Sequence, residues 1–130
     1  MPLSKRDASR IERRLVATLT DACETAKVEI PGFEWLTHTV NYDAFAQSLR
    51  ITWVFDTRAS KDHALASGVD QRMRELTAAA LHEAEAPAVQ LDRCVRFDSE
   101  EACLQEHGGD WRLRLARTRT DKRESPRTDP

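Results

Sequence analysis

The sequence predicts a two-layer α+β domain, with about four strands in a mixed sheet and two long helices on one face. Three observations predict this fold. Apolar residues recur at steps of three and four in two long stretches, and they alternate with polar residues in several short ones. The connection between the first two alternating stretches covers only residues 43–47. The predicted order is helix, strand, strand, helix, strand, short helix, strand, which requires at least one crossover packed against the sheet.

The first element is a helix that begins after Ser4, because Ser4 and Asp7 form the acidic variant of a capping box. Pro31–Gly32 predicts where this helix ends. Its apolar stripe, which we expect to be buried, consists of Ile11, Leu15, Leu19, Ala22, Cys23 and Ala26.

Two strands follow and form an antiparallel hairpin, because a short connection joins them. The segment FEWLTHTVNY is rich in aromatic and β-branched residues, and SLRITWVF alternates. The second strand directs one set of residues to each face: Leu49, Ile51, Trp53 and Phe55 to one, Arg50 and Thr52 to the other.

A helical region begins near Ala59, and Gly68 interrupts it, so either one kinked helix or a short helix and a long one precede Pro87. Ser67 with Asp70 can cap the second start. The segment VQLDRCVRF predicts a third strand. Arg93 shares the parity of its apolar residues, which indicates an edge position, a bulge or a later start.

The remaining elements are a short helix and a fourth strand. Asp98 with Glu101 can cap the helix, and Gly108 ends it. The segment DWRLRLAR alternates most regularly and predicts the last strand. Residues 1–116 are therefore one α+β domain, and residues 117–130, which lack apolar side chains, are a basic tail that we expect to be disordered.

Composition limits the compartment and the class of protein. No apolar run approaches the roughly 18 residues of a membrane span, and the polar start MPLSKRDASR does not predict a secretory signal. Three widely spaced cysteines without a CxxC motif favour a reducing compartment, so we expect a cytoplasmic protein with no membrane contact.

The net charge of −2 is unevenly distributed. Residues 1–16 hold five basic and two acidic residues, and residues 110–130 hold seven basic and four acidic ones, so the middle is strongly acidic. The predicted binding surface is basic and consists of Arg10, Arg14, Arg112, Arg114 and Arg117. An acidic chain is a poor non-specific binder of nucleic acid, so simple solvation of both ends stays open.

The sequence contains no GxSxG, HExxH, Walker or GxGxxG motif, and it predicts no catalytic residue, cofactor or metal. His38, Asp56 and His63 are the candidates for an acid–base group at the open end of the hairpin. Cys103 and His107 have the spacing of two metal ligands on a helix, but only Cys94 is nearby as a third. Whether the chain is an enzyme stays open, and these patterns favour a non-enzyme.

Two segments, PGFEWLTHTVNYDAFAQSLRITWVFDT and VRFDSEEACLQEHGGDWRLRLA, resemble a family of small uncharacterised proteobacterial proteins over most of residues 4–116. Members are labelled as Fis-family transcriptional regulators. The Fis regulator is all-helical with a C-terminal helix-turn-helix, and the elements predicted after Pro87 include no such pair. The resemblance assigns no functional residue.

The sequence therefore predicts a non-enzymatic binding or regulatory module that recognises a protein or a nucleic acid. We expect it to form a homodimer, because an exposed last strand offers a free edge and three tryptophans exceed what one small core buries. A small enzyme of unnamed reaction and a DNA-binding transcriptional regulator are the alternatives.

Overall fold

A computed structural model describes residues 4–116, which form an α+β fold with a three-stranded mixed sheet. The strand order is β1-β2-β3, where β1 is antiparallel and β3 is parallel to β2. The strands are β1 (Phe33–Thr39), β2 (Arg50–Phe55) and β3 (Val95–Ser99). The helices are α1 (Lys5–Glu29), α2 (Phe45–Ser48), α3 (Arg58–Ala66), α4 (Val69–Glu83), α5 (Leu91–Cys94), α6 (Glu100–His107) and α7, whose described part spans residues 111–116.

The predicted hairpin is confirmed, and its register contains one irregularity. Phe33 pairs with Phe55, but Trp35 pairs with Val54, so two steps along β1 correspond to one step along β2. This bulge rotates Trp35 onto the face opposite to that of Phe33, although the two residues share the same sequence parity. The sheet thus has a first face, which carries Phe33, and a second face, which carries Trp35.

The core lies between the first face and the two long helices, α1 and α4. From β2, the side chains of Ile51, Trp53 and Phe55 are fully buried there. The Trp53 indole donates a hydrogen bond to Thr77 Oγ1 of α4 at 3.2 Å, which satisfies its only polar atom in the core. The predicted stripe of α1 is confirmed, and its buried members are Ile11, Leu15, Leu19, Ala22 and Ala26.

The predicted fourth strand is wrong, because the described part of the segment DWRLRLAR is helical. Asp110 begins α7: its Oδ1 accepts from Leu113 N at 3.1 Å and its carbonyl from Arg114 N at 3.1 Å. Gly108 and Gly109, both at positive φ, turn the chain between α6 and α7. Two helices joined by a turn therefore follow β3, where the sequence predicts a helix and a strand.

Three boundaries differ from the prediction by a few residues. The third strand starts late, at Val95, because α5 occupies the residues before it. Ser99, one residue after Asp98, caps α6 by accepting from Ala102 N at 3.1 Å. Gly68 precedes α4 and provides no side-chain cap. The predicted tail, residues 117–130, lies outside the described residues.

Candidate anion-binding site

The described residues of the predicted basic surface are not brought together. Arg10 and Arg14 lie on α1, against the first face, and pair with Asp7 at 3.2 Å and Glu85 at 2.7 Å. Arg112 is exposed on α7, and Arg117 lies outside the described residues. Since α7 packs on the second face, the sheet separates the two halves of that predicted surface.

Arg114 points toward the sheet instead of projecting into solvent. Its Nε and Nη2 donate to the two carboxylate oxygens of Asp98 at 2.6 and 2.9 Å, and Nη1 donates to Glu106 at 2.8 Å. Its side chain is only 13% exposed. These hydrogen bonds raise the pKa of Arg114 above its usual value, with Asp98 as the largest cause. Arg114 therefore fastens α7 to β3.

Trp35 and Trp111 complete this attachment. Their rings meet edge to face at 5.0 Å, and both indoles donate to the Glu100 carboxylate, at 2.5 Å from Trp35 and 2.8 Å from Trp111. The tryptophans that seemed surplus to the core thus cover one end of the second face, where α7 lies.

A different arginine stands at the other end of the sheet, where β2 and β3 begin. Arg50 is the first residue of β2 and only 6% exposed. Its Nη1 donates to the carbonyls of Gln47 at 3.0 Å and Leu49 at 2.7 Å. Its Nε is buried and has no acceptor within residues 4–116. The Nε–Nη2 edge, which binds carboxylates and phosphates in bidentate fashion, is left unused by the described residues.

Two further arginines lie near enough to Arg50 for their charges to act on it, and we call Arg50, Arg93 and Arg96 the arginine cluster. Arg96 of β3 pairs in register with Thr52 of β2. Thr52 lies two positions after Arg50, so Arg50 and Arg96 are on the same face of the sheet. Arg93 lies on α5, directly before β3. The ion pairs among residues 4–116 all involve other side chains, so the arginine cluster carries its positive charge without a described carboxylate partner.

Burial and mutual repulsion both act on Arg50. Burial lowers the pKa of its guanidinium, and the positive charges of Arg96 and Arg93 lower it further. Arginine nevertheless stays protonated in proteins. A buried, unpaired charge of this kind costs free energy unless an anion compensates it. The arrangement is suited to holding an anion.

A cavity of about 360 Å³ reaches one side of the cluster, and Arg50 and Arg96 are not among its lining residues. Arg93 lines it, and so does Gln47, whose carbonyl oxygen holds Arg50. The remaining lining residues are Ala46, Ala88, Val89 and Gln90. The wall therefore combines a cation and two amides with small apolar side chains.

The predicted acid–base group does not assemble. His38 pairs in register with Ile51, which is five residues before Asp56, or about 16 Å along the strand. The Asp56 carboxylate accepts from Thr57 N at 2.7 Å, and the Ser60 hydroxyl holds the pKa of Asp56 below its usual range. His63 is exposed on α3.

His38 belongs to a different set of contacts, in which Glu12 of α1 is the centre. The Tyr42 hydroxyl donates to Glu12 Oε1 at 2.5 Å, and His38 Nε2 lies 3.2 Å from the same oxygen. Burial favours the neutral form of Glu12, but the hydrogen bonds from Tyr42 and His38 outweigh it and lower its pKa. This group ties α1 to β1.

The cysteines do not form a metal site in the described part of the chain. Within residues 4–116, no three His, Cys, Asp or Glu side chains are close enough together to hold a metal ion. Cys103 is fully buried, and His107 Nδ1 lies 3.1 Å from Nη1 of Arg114. No helix of residues 4–116 is long and apolar enough to cross a membrane.

Comparisons with protein-family models, with curated proteins and with solved structures found no match for this chain. The resemblance to the proteobacterial family therefore stays a prediction, and the function must be argued from the site.

Sequence reasoning missed the arginine cluster, although two signals pointed to it. Arg50 opens a strand whose other residues are buried. Arg93 stands at a position where the predicted strand required an apolar side chain. What joins them is the parallel pairing of β2 with β3, and no local sequence pattern specifies that pairing.

Proposed function

We propose that this chain is a non-enzymatic binding module that recognises an anionic group of its partner through the arginine cluster. The observation that carries the proposal is Arg50, a buried guanidinium whose bidentate edge has no acceptor among the described residues. Arg93 and Arg96 add charge beside it without a described carboxylate. A binding role is favoured over catalysis because His38 lies far from Asp56 and the cluster contains no proton-transfer group.

Thermal unfolding in the presence of inorganic phosphate tests this proposal. A ligand that binds only the folded chain raises its melting temperature, and the increase grows with the logarithm of one plus the ratio of the free ligand concentration to Kd. We expect phosphate to raise the melting temperature more than sodium chloride at equal ionic strength. The double variant Arg93→Ala, Arg96→Ala should lose this increment, because its phosphate affinity falls by about tenfold or more.

The matched control is the double variant Arg6→Ala, Arg13→Ala, which removes the same charge from α1. Both control arginines are exposed and have no described ion-pair partner. This control should keep the phosphate response. Equal responses of the two double variants would refute the proposal, because charge alone would then explain the binding.

Self-association is part of the proposed function. β1 is an outer strand of the sheet, and its side away from β2 has no strand partner among residues 4–116. Such an edge can pair with a copy of itself. Light scattering during gel filtration, at low and high salt and with a random nucleic-acid pool, should show a salt-independent dimer. A monomer at every concentration would overturn this part.

Three free cysteines support a cytoplasmic location for the module.

A DNA-binding regulator is the second candidate, because α6, the Gly108–Gly109 turn and α7 form a helix-turn-helix pair. The contacts of Arg114 and the carboxylates of α6 disfavour it, since Glu106 would repel a phosphate backbone. Duplex DNA binding that falls on substitution of Arg112 by Ala would favour this candidate over the arginine cluster.

A further inference from the structure

The arginine cluster differs from an ordinary basic surface because its central member is recessed. Arg50 is 6% exposed, whereas Arg93 is exposed and Arg96 is half-buried. The two backbone carbonyls on Nη1 fix the guanidinium plane and leave Nε and Nη2 on the free edge. A fork that is recessed in this way excludes the middle of a polymer chain, and the end of a ligand reaches Nε only if the side chains around it shift.

The charge of the cluster indicates which end group fits. Three guanidinium groups without a described carboxylate match a dianion better than a monoanion. A phosphate monoester carries roughly −1.5 to −2 at neutral pH and presents three acceptor oxygens, whereas an internal phosphodiester carries a single charge. Two oxygens of a monoester can occupy the fork of Arg50, and the third can face Arg93 or Arg96.

The adjoining cavity indicates what the phosphate is attached to. Its volume of about 360 Å³ lies in the lower part of the range of small-molecule sites. The amides of Gln47 and Gln90 line it and can bond hydroxyl groups. Its lining residues within 4–116 include no aromatic side chain on which a base would stack. These features favour a polyhydroxylated body over a nucleobase.

We infer that the arginine cluster and its cavity bind a small sugar phosphate, with the phosphate monoester on the Nε–Nη2 edge of Arg50 and the sugar beside Gln47 and Gln90. This inference rests on the proposed function and adds the ligand class. Neither an internal nucleic-acid phosphate nor an acidic protein side chain would use both the recessed fork and the cavity.

Isothermal titration of the full chain tests the inference with four probes: inorganic phosphate, methyl phosphate, dimethyl phosphate and ribose 5-phosphate. We expect the affinity for methyl phosphate to exceed that for dimethyl phosphate by about tenfold or more, because only the monoester is a dianion. Ribose 5-phosphate should bind more tightly than methyl phosphate. Gln90→Ala should weaken ribose 5-phosphate and leave methyl phosphate unchanged.

Arg50→Lys and Arg50→Met separate fork recognition from charge. Lysine keeps the charge but lacks the fork, so both variants should weaken methyl phosphate by about tenfold or more. Circular dichroism and the melting temperature establish that each variant is folded. If the methionine variant does not fold, the lysine variant alone provides the test.

The outcomes separate this inference from the proposed function. If phosphate binding is lost in Arg93→Ala, Arg96→Ala but unchanged in both Arg50 variants, the fork is not the receptor: the inference fails, and of the proposed function only anion recognition by Arg93 and Arg96 remains. Ribose 5-phosphate binding no tighter than methyl phosphate would overturn the assignment of the cavity. If a pool of DNA without terminal phosphates binds more tightly than any of the monoesters, the assigned ligand class is wrong. If no anion binds, both proposals fail.

Discussion

Arg50 combines two opposing contributions to stability at a single residue. Its buried charge is unfavourable without a partner, but its Nη1 makes two hydrogen bonds to backbone carbonyls. Arg50→Met removes both contributions. We expect the free energy of unfolding to change by no more than about 1 kcal/mol, because each lost hydrogen bond is worth about that amount and the relieved desolvation offsets it.

Urea denaturation without phosphate measures this change. A loss of several kcal/mol would instead assign Arg50 to the fold, since a residue retained for a ligand need not stabilise the free chain.

Glu12 makes the stability of the folded chain depend on pH. Its pKa is lowered in the folded chain because the hydrogen bonds from Tyr42 and His38 outweigh burial. The stabilisation is therefore fully present above the pKa of the unfolded chain, near 4.5, and is lost as the pH falls through the lower folded value. Glu12→Gln should lower the melting temperature at pH 7, and its difference from the parent chain should shrink toward pH 3.

The comparison is made by thermal unfolding between pH 3 and pH 7, with Glu24→Gln on the exposed side of α1 as the control. A difference that grows in acid would contradict the assigned direction of the shift.

At the scale of elements, Gly32 permits α1 to turn directly into β1. Its φ is +83°, and an added Cβ would lie 2.7 Å from Cβ and Oγ of Ser60 on α3. Gly68 has a similar φ of +84° but open space around it. Gly68→Ala should cost about 1 kcal/mol from backbone strain alone. Gly32→Ala should cost about 2 kcal/mol more, because the clash adds to the strain. Urea denaturation of both variants measures the difference. Equal losses of stability would contradict the contact with Ser60.

The ion pair of Asp98 with Arg114 holds α7 on β3. Both side chains are mostly buried, with 18% and 13% exposed. Asp98→Ala should cost about 2 to 3 kcal/mol, because it leaves the guanidinium without its bidentate partner. Asp92→Ala is the control, since Asp92 is 96% exposed in its pair with Arg74; it should cost less than about 1 kcal/mol. Urea denaturation that ranks the two variants the other way would contradict this attachment.

The same elements show why part of the fold could be predicted. The hairpin was predictable because alternation and a short connection specify it locally. Residues 111–116 were not, since Trp111, Leu113 and Leu115 alternate but Trp111 and Leu115 also stand one helical turn apart. The contacts that decide between the two come from Glu100 and from Asp98 on β3. These contacts join residues from different elements, as the arginine cluster does, so no local sequence pattern predicts them.

At the scale of the whole molecule, the three thiols report how tightly the fold is closed. Burial raises the pKa of Cys94 to about 11, and burial also raises the pKa of Cys103. Cys23 is half-buried on α1. With a disulfide reagent, one thiol should react in the native chain and two only on unfolding. Three thiols that react at one rate in native conditions would show that α1, α5 and α6, which carry them, open together.

The bulge between Phe33 and Trp35 has a consequence for chain length. A strand that gains or loses one residue exchanges inside for outside along the remainder of its course. Glu34 is the exception, because it is the extra residue of the bulge: deleting it would leave Phe33 and Trp35 adjacent, on opposite faces and with their present partners Phe55 and Val54. Trp35 would then still meet Trp111, and α7 would keep its place on the second face. Deleting a residue after Trp35, such as Leu36, would instead turn His38 to the second face and away from Glu12 of α1, so the strand should accept a shorter chain at the bulge and not beyond it.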